Sequence, residues 1–480
     1  MRWPILLFGV FSLFAEMPLS NLSHHDAEMI AREYNKQLLI AKEGTEQAKQ
    51  RKLQAVSLWL PSIHYRGEFK DIEKKELFLN IFSPLTPFTP SHRGYSSILE
   101  IAQPVFSSDL IFNLKSKQIE QESVQYEQAT TLNELLLAVR RSYYSVVVLE
   151  SALGIERENI NYLAYALEQE QRKLEAGNST TLEVNQSKVA VANAISLYYS
   201  TLKDLKNGRN SLILTLGIDP LLESQMILSE SKVPLDSIPE IAIKMQEVEG
   251  KYHYFSQSIP STADFLKQID SIEKARSLIL FSEGEVFDYL ELALTHRPDL
   301  RSSQLQIGIA EQNLKEKQGH YLPKIEGYAR YSYNDEYLGA TPFGSESYNW
   351  SGGLVLTWNL FDSLLREHEI KEARSARQSY RINYDKNYQK IEVEIRNGLY
   401  QLEETLMSYL SASQAVFLAE QARGQAADKL AFGRIPPLEY RDSVNLLLQA
   451  RNQQNHASFD LINAYYQLRY STGTDVDCSK

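Results

Sequence analysis

The chain reads as mainly α with a small β part: a duplicated module of long antiparallel coiled-coil helical hairpins, with four strands per chain. Three observations carry this. Trp59-Leu60-Pro61-Ser62-Ile63 returns as Tyr321-Leu322-Pro323-Lys324-Ile325. Phe106 returns as Phe361, each followed by a long proline-free stretch and then a landmark glycine, Gly177 or Gly433. The distance from there to the next landmark, Gly217 or Gly473, is the same in both halves. Solenoid units repeat every 20 to 50 residues or so, and this period is far longer, so a whole supersecondary module has been duplicated.

Each copy opens with a helix. In the second, Arg297-Pro298-Asp299-Leu300 puts proline and a carboxylate in the first turn, where a missing N–H costs nothing and the helix dipole favours negative charge. The first copy has Lys36 at the place of Pro298, so its start is less sharply marked. After Leu60-Pro61 the period changes to two. Ile63, Tyr65, Gly67 and Phe69 alternate with His64, Arg66, Glu68 and Lys70. In the second copy Ile325, Gly327, Ala329, Tyr331 and Tyr333 alternate with Glu326, Tyr328, Arg330 and Ser332. Such alternation predicts strands over about 62–70 and 324–334. Partner strands are expected at about 95–103 and 348–358, and Tyr348, Trp350, Gly352, Leu354, Leu356 and Trp358 share one face of the latter. Their lengths and terminal aromatics match a membrane β-barrel, and they match equally a soluble hairpin with one face on a core. The segments between the strands, 71–94 and 334–347, read as exposed loops.

Past Phe106 and Phe361, Ser108 or Asp109 and Asp362 or Ser363 are candidate helix N-caps. Apolar residues then step in threes and fours, as in Leu132, Leu136, Val139, Tyr143, Val146 and in Tyr388, Ile391, Ile395, Leu399, Leu402. About 70 helical residues would reach roughly 100 Å, too long to bury within a globule. The return helices carry seven-residue rows: Val184, Val191, Tyr198, Leu205, Leu212 in one copy and Tyr440, Leu447, Gln454, Leu461, Leu468 in the other. Ala450, Ala457 and Ala464 add a second row that permits close approach. A seven-residue apolar repeat implies left-handed coiled-coil packing against the outgoing helix.

Composition narrows the function. Lys plus Arg number 50 and Asp plus Glu 61, a net charge of −11, which argues against a nucleic-acid partner. The single cysteine, Cys478, excludes a disulfide framework and any CxxC pair. The nine histidines show no metal-binding spacing, and no phosphate-binding glycine loop is present, so no enzyme and no cofactor is expected. Arg2 followed by the apolar run Ile5 to Phe14 and Ala15 predicts a signal peptide over 1–15, with a buried N-terminal helix as the other reading.

The ordered set of Arg297-Pro298-Asp299-Leu300, the two Leu-Pro strand starts, Leu354-Val355-Leu356 running to Asn359-Leu360-Phe361-Asp362, the two glycine turns and the closing Gly217 and Gly473 resembles the TolC family of outer-membrane channels. The resemblance covers about 26–217 and 286–475, leaving 218–285 as an inter-repeat equatorial segment broken by Pro220, Pro234, Pro239 and Pro260. It implies a homotrimer in which each chain gives four strands to a 12-stranded outer-membrane β-barrel continuous with a periplasmic α-barrel. It implies an exit duct of a tripartite efflux pump or type I secretion system, a passive conduit with no cofactor. Its partners would be a periplasmic adaptor (membrane fusion protein), an inner-membrane pump or ABC transporter, and outer-membrane lipid. The glycine turns would form the periplasmic tip, with Gly177, Asn178, Ser179, Gly433 and Arg434 meeting the adaptor. Glu439 and Asp442 match the family's acidic positions after the second turn, and Glu183 matches in the first, where Gln186 holds the second place. These carboxylates are the candidate constriction. Ile435 stands where the family has a basic residue that helps tie the closed tip. The alternatives are a periplasmic coiled-coil adaptor or scaffold without a membrane barrel, and an adhesin stalk. Neither calls for two aromatic-rich hairpins or for matched carboxylates after both turns.

Overall fold

The structure, a computed structural model, describes residues 19–72, 92–251, 281–335 and 346–475. The expected signal peptide, Pro260, Cys478 and most of both expected loops lie outside these residues. In chain order the elements are α1 (His24–Tyr34), α2 (Lys36–Ser57), β1 (Ser62–Ile72), β2 (His92–Phe106), α3 (Ser108–Glu175), α4 (Thr181–Leu216), α5 (Pro239–Lys251), α6 (Glu283–His296), α7 (Pro298–Gly319), β3 (Lys324–Asp335), β4 (Glu346–Thr357), α8 (Leu365–Ala431) and α9 (Pro437–Thr472). The chain divides into two compact units: Glu43–Tyr126 with Arg301–Asp385, and Met1–Lys42 with Glu127–Leu300 and Lys386–Lys480.

The first of these units holds the sheet. Its four strands are antiparallel in the order β1-β2-β3-β4, so β1 and β4 are its edges. Opposite residues of an antiparallel pair share a face. Ile63 lies opposite Ile101, which lies opposite Ala329, which lies opposite Gly352. Tyr65 faces Leu99, Leu99 faces Tyr331, and Tyr331 faces Trp350. The apolar positions therefore join into one continuous face across all four strands. On the other face His64, Glu100, Arg330 and Ser351 form one cross-strand row, in which Arg330 binds Glu100 at 2.7 Å. At their loop ends the strands run past the expected limits, through Asp71 opposite Arg93 and Asp335 opposite Glu346, because backbone ladders continue where side chains turn polar, while β4 stops at Thr357, short of the expected 358. In the same unit α7 reaches the start of α3 so closely that Ser108 Oγ donates to the Gly319 carbonyl at 2.7 Å. A β-carbon at Gly319 would lie 2.5 Å from that hydroxyl.

The start of α8 departs from expectation. The helix begins at Leu365, after Ser363 and Leu364 take left-handed backbone with φ of 59° and 69°. Neither Asp362 nor Ser363 caps it. The Asp362 carboxylate instead binds Arg366 at 2.7 Å. In α3, Ser108 and Asp109 are the first two helical residues rather than caps.

The second unit is helical. The parts of the long helices in this unit bury Leu136, Val139, Tyr143 and Val146 on α3 and Ile391, Ile395 and Leu399 on α8. The return helices bury Val184, Leu205 and Leu212 on α4 and Tyr440, Leu447, Leu461 and Leu468 on α9, the seven-residue rows. Both helices close on a left-handed glycine, Gly217 with φ 78° and Gly473 with φ 72°. Each glycine meets a break between two helices, of which the sequence pointed to the second, starting at Lys36 or Pro298, and not to the first. Gly217 packs on Tyr34 and Asn35 between α1 and α2, and Gly473 on His296 and Arg297 between α6 and α7. The tie is made differently in each copy. Asn35 Nδ2 donates to the Thr215 carbonyl at 2.7 Å, while its Oδ1 caps α2 through the amides of Gln37 and Leu38. The Arg297 guanidinium reaches the Ser471 carbonyl at 3.4 Å and pairs with Asp299 and Glu394, both at 2.6 Å.

Within 218–285 the described part consists of two short 3-10 segments at Pro220–Gln225 and Leu235–Ser237, then α5 and the start of α6. The N-terminal residues are strapped to it: Leu22 donates to the Ile227 carbonyl and accepts from the Ser229 amide. Tyr143 donates to the same Leu22 carbonyl, and His24 Nδ1 sits 3.0 Å from Glu230.

Candidate functional site

The two hairpin turns close by one device. After Gly177, with φ 75°, the Asn178 amide donates back to Lys173 at 2.8 Å; after Gly433, with φ 67°, the Arg434 amide donates to Lys429 at 2.7 Å. This six-residue closure requires the left-handed residue that glycine supplies without steric cost. Gly177, Asn178, Gly433 and Arg434 are exposed and Ser179 is half-buried. Arg434 lies over the exposed Phe432 ring, 5.7 Å from its centre.

The helices that leave the turns begin differently. Thr180 caps α4, and the Glu183 carboxylate folds back to accept from the Thr180 amide at 2.8 Å, the Ser179 hydroxyl at 2.8 Å and the Thr180 hydroxyl at 3.1 Å. This reciprocal box satisfies helix-end amides that would otherwise lack partners. The Thr180 amide, followed by the Ser179 hydroxyl, holds Glu183 below the usual carboxylate range. In the second hairpin Pro436 occupies the cap position with no side-chain hydrogen bond, and Pro437 leads α9. Glu439 there has nothing to cap. Glu439 and Asp442 are both exposed, and neither carboxylate has a hydrogen bond or ion pair among the described residues.

Ile435 explains its own presence. It packs on the buried cluster of Ala166, Leu430, Tyr440, Val444 and Leu448, which joins α3 to the second hairpin through apolar contact. Tyr165 meets Tyr440 edge to face at 6.3 Å beside it. Where the resemblance led to the expectation of a basic residue, the chain makes an apolar contact instead.

One residue of this region escaped the sequence reading. Glu170 on α3 is 3% exposed; its Oε1 lies 2.5 Å from the Ser179 hydroxyl, whose single proton it shares with Glu183, and its Oε2 has no hydrogen-bond partner among the described residues. Laying Gly177 on Gly433 places Glu170 on Ala426, a small apolar residue packed against the Ile435 cluster. Comparing the two copies position by position was the signal that could have found it.

No helix among the described residues is long and apolar enough to cross a membrane, and none of those residues form a group of three or more metal-ligating side chains. Residues 29–217 and 289–474 match the family model described as outer membrane efflux protein. The chain belongs to that family. Like other outer membrane efflux proteins it is an exit duct of the outer membrane that extends into the periplasm. No curated protein matches the sequence. Among solved structures the fold is similar to the Campylobacter jejuni CmeC outer membrane channel (TM-score 0.72, 13% identity, 95% of this chain and 87% of that one). It is also similar to CusC, described with transmembrane channel formation (TM-score 0.71, 16% identity, 96% of each chain). The Vibrio cholerae outer membrane protein VceC gives a TM-score of 0.70 at 15% identity over 94% of this chain and 96% of that one.

Proposed function

We propose that three copies of this outer membrane efflux protein close their sheets into one 12-stranded barrel, with the helical hairpins forming an α-barrel across the periplasm. The chain would divide into a signal peptide over 1–15, repeats over 26–217 and 286–475, and an equatorial segment over 218–285. The supporting observation is the sheet: one continuous apolar face, one charged face and two edges left unpaired among the described residues of a single chain. In hydrocarbon every backbone polar group needs a partner, so such a sheet is admissible only once its edges close. The conduit itself is passive. Drive comes from an inner-membrane pump or ABC transporter, in efflux or in type I secretion, through an adaptor that meets the exposed turns at Gly177, Asn178, Ser179, Gly433 and Arg434.

The constriction falls chiefly on Glu439 and Asp442, which are exposed and unengaged, and secondarily on Glu183, whose carboxylate is held in its helix cap. A ring of carboxylates favours cations. In planar bilayers the double substitution Glu439→Gln with Asp442→Asn is expected to lower cation preference markedly, and Glu183→Gln to lower it less. Unchanged selectivity in the double variant would defeat the assignment, and a purified chain that is monomeric and non-conducting would defeat the duct.

A further inference from the structure

The duplication contains the register of the seam between copies. Laying Ser62 on Lys324 and Ala102 on Thr357 carries every pair of the first strand hairpin onto a pair of the second. Ile63 opposite Ile101 falls on Ile325 opposite Leu356, Tyr65 opposite Leu99 on Gly327 opposite Leu354, and Phe69 opposite Tyr95 on Tyr331 opposite Trp350. The two hairpins are thus the same object in the same register. The junction between them, β2 against β3, is then one example of how a first-type strand receives a second-type strand. The other possible example is β4 against the β1 of another chain. The strands alternate in direction through the sheet, so β4 and β1 are antiparallel, as β2 and β3 are.

We infer that β4 of one copy pairs with β1 of the next in the register of β2 with β3, transposed through the repeat. Leu99 opposite Tyr331 becomes Leu354 opposite Phe69; Ile101 opposite Ala329 becomes Leu356 opposite Gly67; Gln103 opposite Gly327 becomes Trp358 opposite Tyr65. The bulge between Pro104 and Phe106 carries over as well, and places Phe361 opposite Ile63. The choice is testable by face. Leu354, Leu356 and Trp358 meet Phe69, Gly67 and Tyr65 on the apolar face, while Val355 meets Glu68 and Thr357 meets Arg66 on the polar face. A slip by one residue would break this everywhere. The residues brought together are the ones the single chain leaves bare, with Leu354 72%, Phe361 75%, Ile63 67% and Tyr65 66% exposed. The seam also extends β4 beyond Thr357 to Phe361 in the assembly.

This inference rests on the proposed closure by copies, and the experiment separates the two. Opposite residues of an antiparallel pair stand close enough for a disulfide. In a full-length Cys478→Ser background, Gly67→Cys is combined with Leu356→Cys, and separately Glu68→Cys with Val355→Cys. These neighbouring pairs sample both the hydrogen-bonded and the non-hydrogen-bonded geometry. A pair displaced by two, Gly67→Cys with Leu354→Cys, and a within-chain pair, Ile101→Cys with Ala329→Cys, serve as controls. After mild oxidation in native outer membranes, an in-register pair is expected to give chain dimers and trimers on non-reducing denaturing gels, and the displaced pair none. Cross-linking through the displaced pair alone would overturn the register and leave closure standing. Absence of inter-chain bonds from every edge pair, with the within-chain control oxidised, would overturn both.

Discussion

At the residue scale, equal positions carry unequal loads. Glu183 and Glu439 lie at the same distance past their glycines, yet one is the closing member of a capping box and the other is free, because Thr180 is a cap and Pro436 is not. His24 shows a related dependence on its neighbour. Its hydrogen bond to Glu230 raises its pKa above the ordinary value, against the opposing effect of burial, with Glu28 adding to the rise and Arg140 reducing it; Tyr143 and Tyr144 flank the ring. A group whose folded pKa is raised stabilises most where it is charged in both states, below its unfolded pKa of about 6.5, and that contribution is lost as pH rises through the raised value. We expect the His24 ring signals in NMR to titrate above the free value and Glu230→Gln to lower that titration. Loosening of the 19–24 strap, read as faster proteolysis, should follow on the alkaline side. Titration at the free value in the unaltered chain would refute the clasp.

At the element scale, the closing glycines are the sharpest test of packing. A β-carbon on Gly217 would lie 2.5 Å from the Tyr34 carbonyl, and one on Gly473 would lie 3.0 Å from Arg297, both on left-handed backbone. At Gly177 and Gly433 nothing lies within 4 Å. Alanine at any of the four costs about 1–2 kcal/mol for its backbone, but only Gly217→Ala and Gly473→Ala add a collision with backbone that cannot move aside. Those two should lower thermal stability clearly more than Gly177→Ala; equal losses at all four would remove the packing role. The glycines themselves were readable in the sequence because a left-handed turn leaves few alternatives. What they pack against was not. Asn35 looks like any helical polar residue until its amide is seen bridging Thr215 and the start of α2. Arg297 read as the flank of a proline start rather than as the hub for Asp299, Glu394 and Ser471. Period and turn chemistry are local and show in one sequence; contacts between residues far apart do not. The α8 start failed for the same reason, since Asp362 has the chemistry of a cap and is drawn instead to Arg366.

At the scale of the whole molecule, the proposed barrel gives the two faces of the sheet different solvents. Leu354 and Val355 are neighbours on β4 and point to opposite faces, apolar and charged. A lysine on the lipid face costs about 2–4 kcal/mol at mid-bilayer and far less toward the lumen. Leu354→Lys should therefore deplete the chain from the outer membrane, while Val355→Lys leaves its level close to normal, both read by quantitative immunoblot of fractionated envelopes. Equal depletion would mean that the faces are misassigned.

The identical register of the two strand hairpins has a last consequence. If the seam repeats the internal junction, a ring of three chains presents six nearly equivalent hairpins to the bilayer, a pseudo-sixfold girdle. At the turns the equivalence fails: Glu170 answers to Ala426, Thr180 to Pro436 and Gln186 to Asp442. One gene duplication would then yield a molecule that lipid reads as sixfold and that anything arriving at the hairpin turns reads as threefold.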